Sequence, residues 1–107
     1  MAQTYLKLED TEEAIEAYKR GIELNPNYAT GHQWYAEFLS AIGRHKEAHA
    51  EMRLALDLDP LSLIINQNFG IVYLFARDYD SAIEQFQKTV ELERGFGAAL
   101  YYLFVAY

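Results

Sequence analysis

The chain repeats itself every 34 residues, and this period constrains the fold more than any other feature of the sequence. Three segments align column by column: EAIEAYKRGIELNP at 13–26, EAHAEMRLALDLDP at 47–60 and SAIEQFQKTVELER at 81–94. Further columns recur at the same interval: Ala14, Ala48 and Ala82, then Tyr5, Leu39, Tyr73 and Tyr107. Such a period predicts an array of small units that stack on one another, because one unit alone cannot bury its apolar face.

Each unit has the pattern of two helices. Apolar residues recur at intervals of three and four positions, which places them on one face of a helix. The first unit shows the pattern at Ala14, Ile15, Tyr18 and Ile22. We predict helices over the ranges 1–8, 11–24, 29–42, 45–58, 62–76, 79–93 and 97–107. The chain is therefore predicted to be all-α.

Glycine and proline mark the predicted turns. Gly43 separates the two helices of the second unit. Pro26 and Pro60 follow the second helices of the first two units, where a proline stops a helix from continuing. Gly95 and Gly97 are placed in the turn that leads to the last predicted helix.

Matched positions in the second and third units carry a recognisable set of residues. The second unit has His32, Tyr35, Ala36 and Leu39, then Ala48, Met52 and Pro60. The third has Asn66, Phe69, Gly70 and Tyr73, then Ala82 and Phe86. This pattern resembles the tetratricopeptide repeat, whose signature is Trp-x2-Leu-Gly-x2-Tyr, then Ala-x3-Phe, then Pro.

The resemblance implies a right-handed α-solenoid of antiparallel helix pairs, with about three repeats in a cut frame. The single array at 1–107 divides into a partial first repeat at 1–28, a second at 29–62, a third at 63–96 and the first helix of a truncated fourth at 97–107. Because both ends fall in the middle of a helix, we expect a fragment of a larger protein. WYAEFL, GRHKEA and ALDLDPLSLIIN are similar to arrays attached to bacterial signalling proteins, so a bacterial parent is expected.

Some columns depart from the family pattern. Arg94 stands where the first two units have proline, and Glu9 and Arg77 stand where the second unit has Gly43. Phe104 replaces the small residue of the fourth unit, which leaves open that this unit is irregular and that its helix docks differently.

Composition excludes several classes of partner. Sixteen acidic and nine basic residues give a net charge of −7, which offers no basic stripe for nucleic acid. The apolar run LYYLFVAY at 100–107 is too short for a membrane span, which needs about 20 residues. There is no cysteine, and MAQTYLKLED lacks the pattern of a secretory signal. We expect a cytoplasmic protein that binds neither nucleic acid nor membrane.

The sequence does not favour an enzyme. HKEAH places His45 and His49 on one helix face, where they could chelate a divalent metal. The metalloprotease pattern needs Glu directly after the first His, but Lys46 stands there. We favour partly buried or surface histidines, and we predict no catalytic residue, cofactor or metal. A metal-dependent enzyme is the alternative that zinc titration would test.

The resemblance implies that the first helices line a concave, partner-binding surface. The residues of this chain at the corresponding positions are Gln3, Lys7, Gln33, Trp34, Glu37, Gln67, Asn68, Ile71, Phe75, Tyr101 and Tyr102. We predict a non-catalytic scaffold that binds a peptide or helix of another protein there. Trp34 either anchors that partner or packs against Asn68 and Ile71.

A subclass of the family grips a partner's C-terminal carboxylate with a clamp of Lys, Arg and Asn. Asn68 falls on a clamp position, but Gln33, Ala98 and Tyr102 stand where the clamp needs cations. Capture of a C-terminal carboxylate is therefore not expected.

The alternative function is structural, as a spacer or self-assembly module within a larger signalling or regulatory protein. The segment 97–107 has the pattern of a first helix without its second helix, which would leave Leu103, Phe104 and Tyr107 uncovered. We expect weak homo-oligomers through these residues, because solenoids without a polar cap associate.

Overall fold

The computed structural model describes the backbone of residues 8–106 and the side chains of residues 10–94. That part of the chain contains five α-helices and no strand. They are α1 (Leu8–Leu24), α2 (Ala29–Ala41), α3 (His45–Leu58), α4 (Leu63–Phe75) and α5 (Tyr79–Ala106). The predicted all-α array of helix pairs is confirmed, and the predicted bounds of α2, α3 and α4 agree within one residue at each end. The helix predicted over 1–8 lies almost wholly outside the described residues.

The predicted turn at Gly95 and Gly97 is wrong, because α5 runs through both glycines as one helix of 28 residues. The predicted helices 79–93 and 97–107 are therefore continuous as far as Ala106. Arg94 provides the physical reason: unlike proline, it lets the preceding residue stay helical, and glycine lowers helix stability without ending a helix. Within the described part of the chain, no helix combines the length and apolar character needed to cross a membrane.

Two helix pairs, α2 with α3 and α4 with α5, form the body of the array. Small residues permit their close approach. Ala36 and Ala48 are completely buried, and a Cβ placed on Gly70 would lie 2.5 Å from the ring of Phe86. Small residues thus lie where the paired helices meet, and a larger side chain there would push the pair apart.

Aromatic rings join neighbouring units. Tyr18 of α1 stacks on Tyr35 of α2, with ring centroids 5.5 Å apart. The buried core continues from there through α3 and α4; its largest fully buried side chains are Leu39, Met52 and Phe69. Stacking of whole units thus buries one continuous apolar core, as the repeat pattern predicts.

The turns after α2 and α4 have the same hydrogen bonds. Arg44 N donates to Leu39 O at 2.8 Å, and 34 residues later Asp78 N donates to Tyr73 O at 2.9 Å. This motif needs a left-handed residue just after the helix, a conformation suited to glycine. Gly43 (φ 88°) satisfies it in the first turn, and Arg77 (φ 63°) adopts it in the second.

Candidate protein-binding groove

Helices α2 and α4, the first helices of the second and third repeats, lie side by side. Between them is a cavity of about 300 Å³, here named the α2–α4 groove. Its lining combines polar and apolar side chains from both helices: Glu37, Ser40, Asn68, Ile71, Val72 and Phe75.

A hydrogen-bonded carboxylate lies at the polar side of the groove. Glu37 Oε2 accepts a hydrogen bond of 2.9 Å from Gln33 Nε2, one turn earlier on α2. The same oxygen accepts a hydrogen bond of 2.5 Å from Asn68 Nδ2 of α4. Gln33 is buried and the other two are half-buried, so the carboxylate is held in place and joins the two helices.

Ser40 lies one turn after Glu37 on α2 and also lines the groove. The residue is 5% exposed, and its hydroxyl has no hydrogen-bond partner among the described residues. Such a hydroxyl is able to donate or to accept. Buried polar atoms are normally paired, so Ser40 supplies unused hydrogen-bonding capacity beside the carboxylate.

Two exposed aromatic side chains lie on the helices that form the groove, Trp34 on α2 and Phe75 on α4. Phe75 lines it and is 53% exposed. Trp34 lies one turn before Glu37 on α2 and is 52% exposed, so half of its surface is accessible to a partner. Exposed aromatic rings beside a fixed polar group are typical of anchoring sites in protein interfaces.

Five of the residues predicted to bind a partner meet here: Gln33, Glu37, Asn68, Ile71 and Phe75. Gln67 is exposed on α4. Gln3, Lys7 and Tyr107 lie outside the described residues. Tyr101, Tyr102, Leu103 and Phe104 belong to the backbone of α5, but their side chains lie outside the described part.

The sequence prediction missed Ser40 and Val72 as lining residues of the groove. The spacing contained a signal for Ser40, because it follows Glu37 by three positions and so shares its helix face. Its neighbours in the sequence, Phe38 and Leu39, are apolar, and the prediction did not include Ser40.

The two histidines of HKEAH have different surroundings: the Nδ1 atom of His45 is buried without a hydrogen-bond partner among the described residues, whereas His49 contacts aromatic rings. The ring of His49 packs against Phe69 and Tyr73, with centroids 5.1 and 5.4 Å away, and its Nε2 lies 3.1 Å from the Tyr73 hydroxyl. Burial lowers the pKa of His49, and the nearby charge of Arg53 lowers it further. In residues 10–94 no three His, Asp or Glu side chains converge on a possible metal position. The ring of His49 instead joins α3 to α4.

Two other cavities lie away from the α2–α4 groove. One, of about 350 Å³, is lined by Lys19 and Glu23 of α1 together with Glu47 and Glu51 of α3. Burial raises the pKa of Tyr35, which also lines this cavity, and the two α3 carboxylates add to the effect. The other, of about 600 Å³, runs along α5.

Comparison with known proteins gives the family. Two family models described as tetratricopeptide repeat match the chain, one over residues 1–28 and the other over residues 17–50. Tetratricopeptide repeat protein 13 of Homo sapiens is 32% identical over 95 residues, which are 89% of this chain and 11% of the relative. Small glutamine-rich tetratricopeptide repeat-containing protein 2 of Mycosarcoma maydis is 35% identical over 80 residues, 75% of this chain and 23% of the relative. The chain thus spans less than a quarter of either relative.

A similar solved structure is the second tetratricopeptide-repeat domain of Spaghetti (RPAP3) bound to the HSP90 peptide SRMEEVD. It superimposes with a TM-score of 0.67 at 25% identity, and the match covers 78% of this chain and 77% of that domain.

Proposed function

Because the chain belongs to the tetratricopeptide-repeat family, we propose that it is a scaffold that holds a peptide or helix of another protein at the α2–α4 groove. The scaffold has no chemistry of its own. The observation that carries this proposal is the exposure of Trp34 and Phe75 on two helices that are joined by a carboxylate fixed by two hydrogen bonds. The peptide complex of the similar domain supports a protein or peptide as the class of partner.

Truncation of an aromatic anchor tests the proposal. Peptides are first selected from a random displayed library against the purified protein, and their affinities are measured by fluorescence polarisation. Trp34→Ala should weaken a groove-bound peptide by about 2 kcal/mol or more, the range of an interface hot spot. Leu61→Ala is the matched control, because Leu61 is 62% exposed in the turn between α3 and α4. If Trp34→Ala lowers the melting temperature while the affinity holds, Trp34 is a packing residue and the proposal fails.

Self-assembly is the second candidate function, and the surface of α5 favours it. Ile83 and Val90 are more than half exposed and line the cavity along this helix together with Phe86. Sedimentation velocity over a concentration series tests it. Leu103→Asp combined with Phe104→Ser should abolish dimers if the predicted segment 97–107 forms the contact, and an unchanged dimer would rule that segment out.

The larger parent protein, its bacterial origin and its cytoplasmic location stay predictions. Sequencing the full-length gene tests the first two, and fluorescence imaging of the tagged full-length protein tests the third. An attached kinase, sensor or DNA-binding domain would favour the regulatory role.

A further inference from the structure

We propose that the α2–α4 groove recognises an arginine side chain of the bound partner, with its guanidinium group on Glu37. This inference rests on the proposed scaffold function and adds the chemistry of the partner. It is the opposite of carboxylate capture, for which the groove would have to present cations.

The hydrogen bonds of the groove leave acceptor oxygens free, and each of the two amides that donate to Glu37 uses one of its two N–H groups. Gln33 and Asn68 both direct a side-chain N–H group at Oε2 of Glu37. Among the described residues, neither bond involves Oε1 of Glu37 or Oδ1 of Asn68, so both oxygens are able to accept. The unpaired hydroxyl of Ser40 is a third acceptor in the same lining. A partner group that only donates complements this arrangement, and guanidinium has five N–H donors and no acceptor.

The negative charge of Glu37 also favours an arginine side chain in the groove. Among the described side chains, the contacts within ion-pair distance are His32 with Glu51 and Arg44 with Glu47, and neither involves Glu37. The negative charge of Glu37 is therefore balanced by hydrogen bonds and by no cation of the described part. The net charge of −7 also attracts a cationic partner and repels an acidic one.

The apolar half of the groove distinguishes arginine from lysine. Ile71 and Val72 line it and offer a surface for the methylene groups of a long side chain. Phe75 adds an exposed ring, on which a planar guanidinium stacks better than a compact ammonium. A fork of donors also suits acceptors that come from two helices, as the oxygens of Glu37 and Asn68 do.

The size of the cavity fits a single side chain. Sites for whole small molecules occupy about 300–1,000 Å³. The α2–α4 groove, at about 300 Å³, is at the bottom of that range. It has room for one arginine side chain, while the rest of the peptide would lie across the neighbouring surface near Trp34.

The test uses peptides selected from a random library in which every peptide ends in a C-terminal amide. Peptides whose binding is lost with Trp34→Ala are synthesised again with each arginine replaced by citrulline, which keeps the shape and removes the charge. We expect these peptides to contain arginine, and we expect one citrulline replacement to weaken binding about tenfold or more, as for loss of a charge-assisted hydrogen bond.

Variants of the protein test whether Glu37 is the residue that binds the arginine of the peptide. Glu37→Gln should weaken the arginine peptide to a similar extent and should make the citrulline replacement nearly neutral. Glu84→Gln removes the same charge from an exposed position on α5 and should change neither result. The weakening by citrulline should also shrink at high salt.

The outcomes separate the two proposals. Groove-bound peptides that lack arginine, or that tolerate citrulline without loss, would overturn the arginine pocket and leave the scaffold function intact. A matched library without the C-terminal amide gives a second check. Selection of acidic peptides, or of peptides that need a free C-terminal carboxylate, would also overturn the arginine pocket. If no selected peptide depends on Trp34, the scaffold function itself fails, and the arginine pocket fails with it.

Discussion

Gln85 donates a hydrogen bond of 2.9 Å to the side-chain oxygen Oδ1 of Asn66, and both residues are buried. Thirty-four residues earlier, His32 Nδ1 lies 2.7 Å from Glu51 Oε1 at the equivalent positions. Asn66 also donates to the carbonyl oxygen of Pro60, and His32 Nε2 lies within hydrogen-bond distance of the carbonyl oxygen of Pro26. A polar bridge thus fixes the two helices of each complete repeat at the position where the family signature has tryptophan.

Asn66→Ala should destabilise the fold by about 1–3 kcal/mol, because it leaves the buried N–H groups of Gln85 without their acceptor. Urea denaturation followed by circular dichroism measures the change. Gln67→Ala, at an exposed neighbouring position, is the control. The combined change His32→Asn and Glu51→Gln installs the bridge of the next repeat and should cost less than Asn66→Ala. Equal costs for Asn66→Ala and Gln67→Ala would show that the bridge contributes nothing.

Arg77→Gly should stabilise the protein by about 1 kcal/mol, because it relieves the left-handed backbone conformation of a residue with a Cβ. Gly43→Ala at the equivalent turn is the reverse experiment. A Cβ on Gly43 meets no atom within 4 Å, so its cost arises from the backbone alone. Thermal unfolding measures both variants. A destabilising Arg77→Gly would mean that the arginine side chain makes a contact worth more than the strain.

Gly70→Ala should destabilise by about 1–3 kcal/mol, because the added methyl group would lie 2.5 Å from the Phe86 ring and force α4 and α5 apart. Gly21→Ala is the matched control in α1, where a Cβ meets no atom within 4 Å. That variant should stabilise by about 0.5–1 kcal/mol through helix propensity. Denaturant midpoints of the two variants should therefore move in opposite directions, and a shared direction would contradict the close approach of the helices.

Acidic pH should weaken the fold through His49. Its pKa is lowered in the folded state by burial and by Arg53, so the unfolded chain binds a proton more readily. The free energy of unfolding therefore falls as the pH drops below the ordinary histidine pKa of 6.5 towards the lower pKa of the folded state. His49→Gln should lose less stability than the wild type between pH 7.5 and pH 5.5 in urea denaturation. An identical loss in both proteins would assign the pH dependence to other groups.

The sequence predicted the helix pairs because the repeat fixes which columns are apolar, and burial follows those columns at Ala36, Ala48 and Phe69. The turn at Gly95 was mispredicted because it was inferred from the 34-residue period and the two glycines, although Arg94 in place of proline permits a helix to continue. The groove was predicted only as a set of first-helix positions. The bond between Glu37 and Asn68 joins residues 31 apart on different helices, so side-chain rotamers decide it and no local pattern reports it.

The position of a bound peptide shows directly whether the α2–α4 groove is the binding surface. Nitrogen-15 NMR spectra of the labelled protein are recorded with and without a selected peptide. We expect the signals of the Trp34 indole N–H and the Asn68 side-chain amide to shift most, while the backbone signals of Leu54 and Leu58 on α3 stay in place. Shifts concentrated on α3, with Trp34 and Asn68 unmoved, would show that the peptide binds elsewhere.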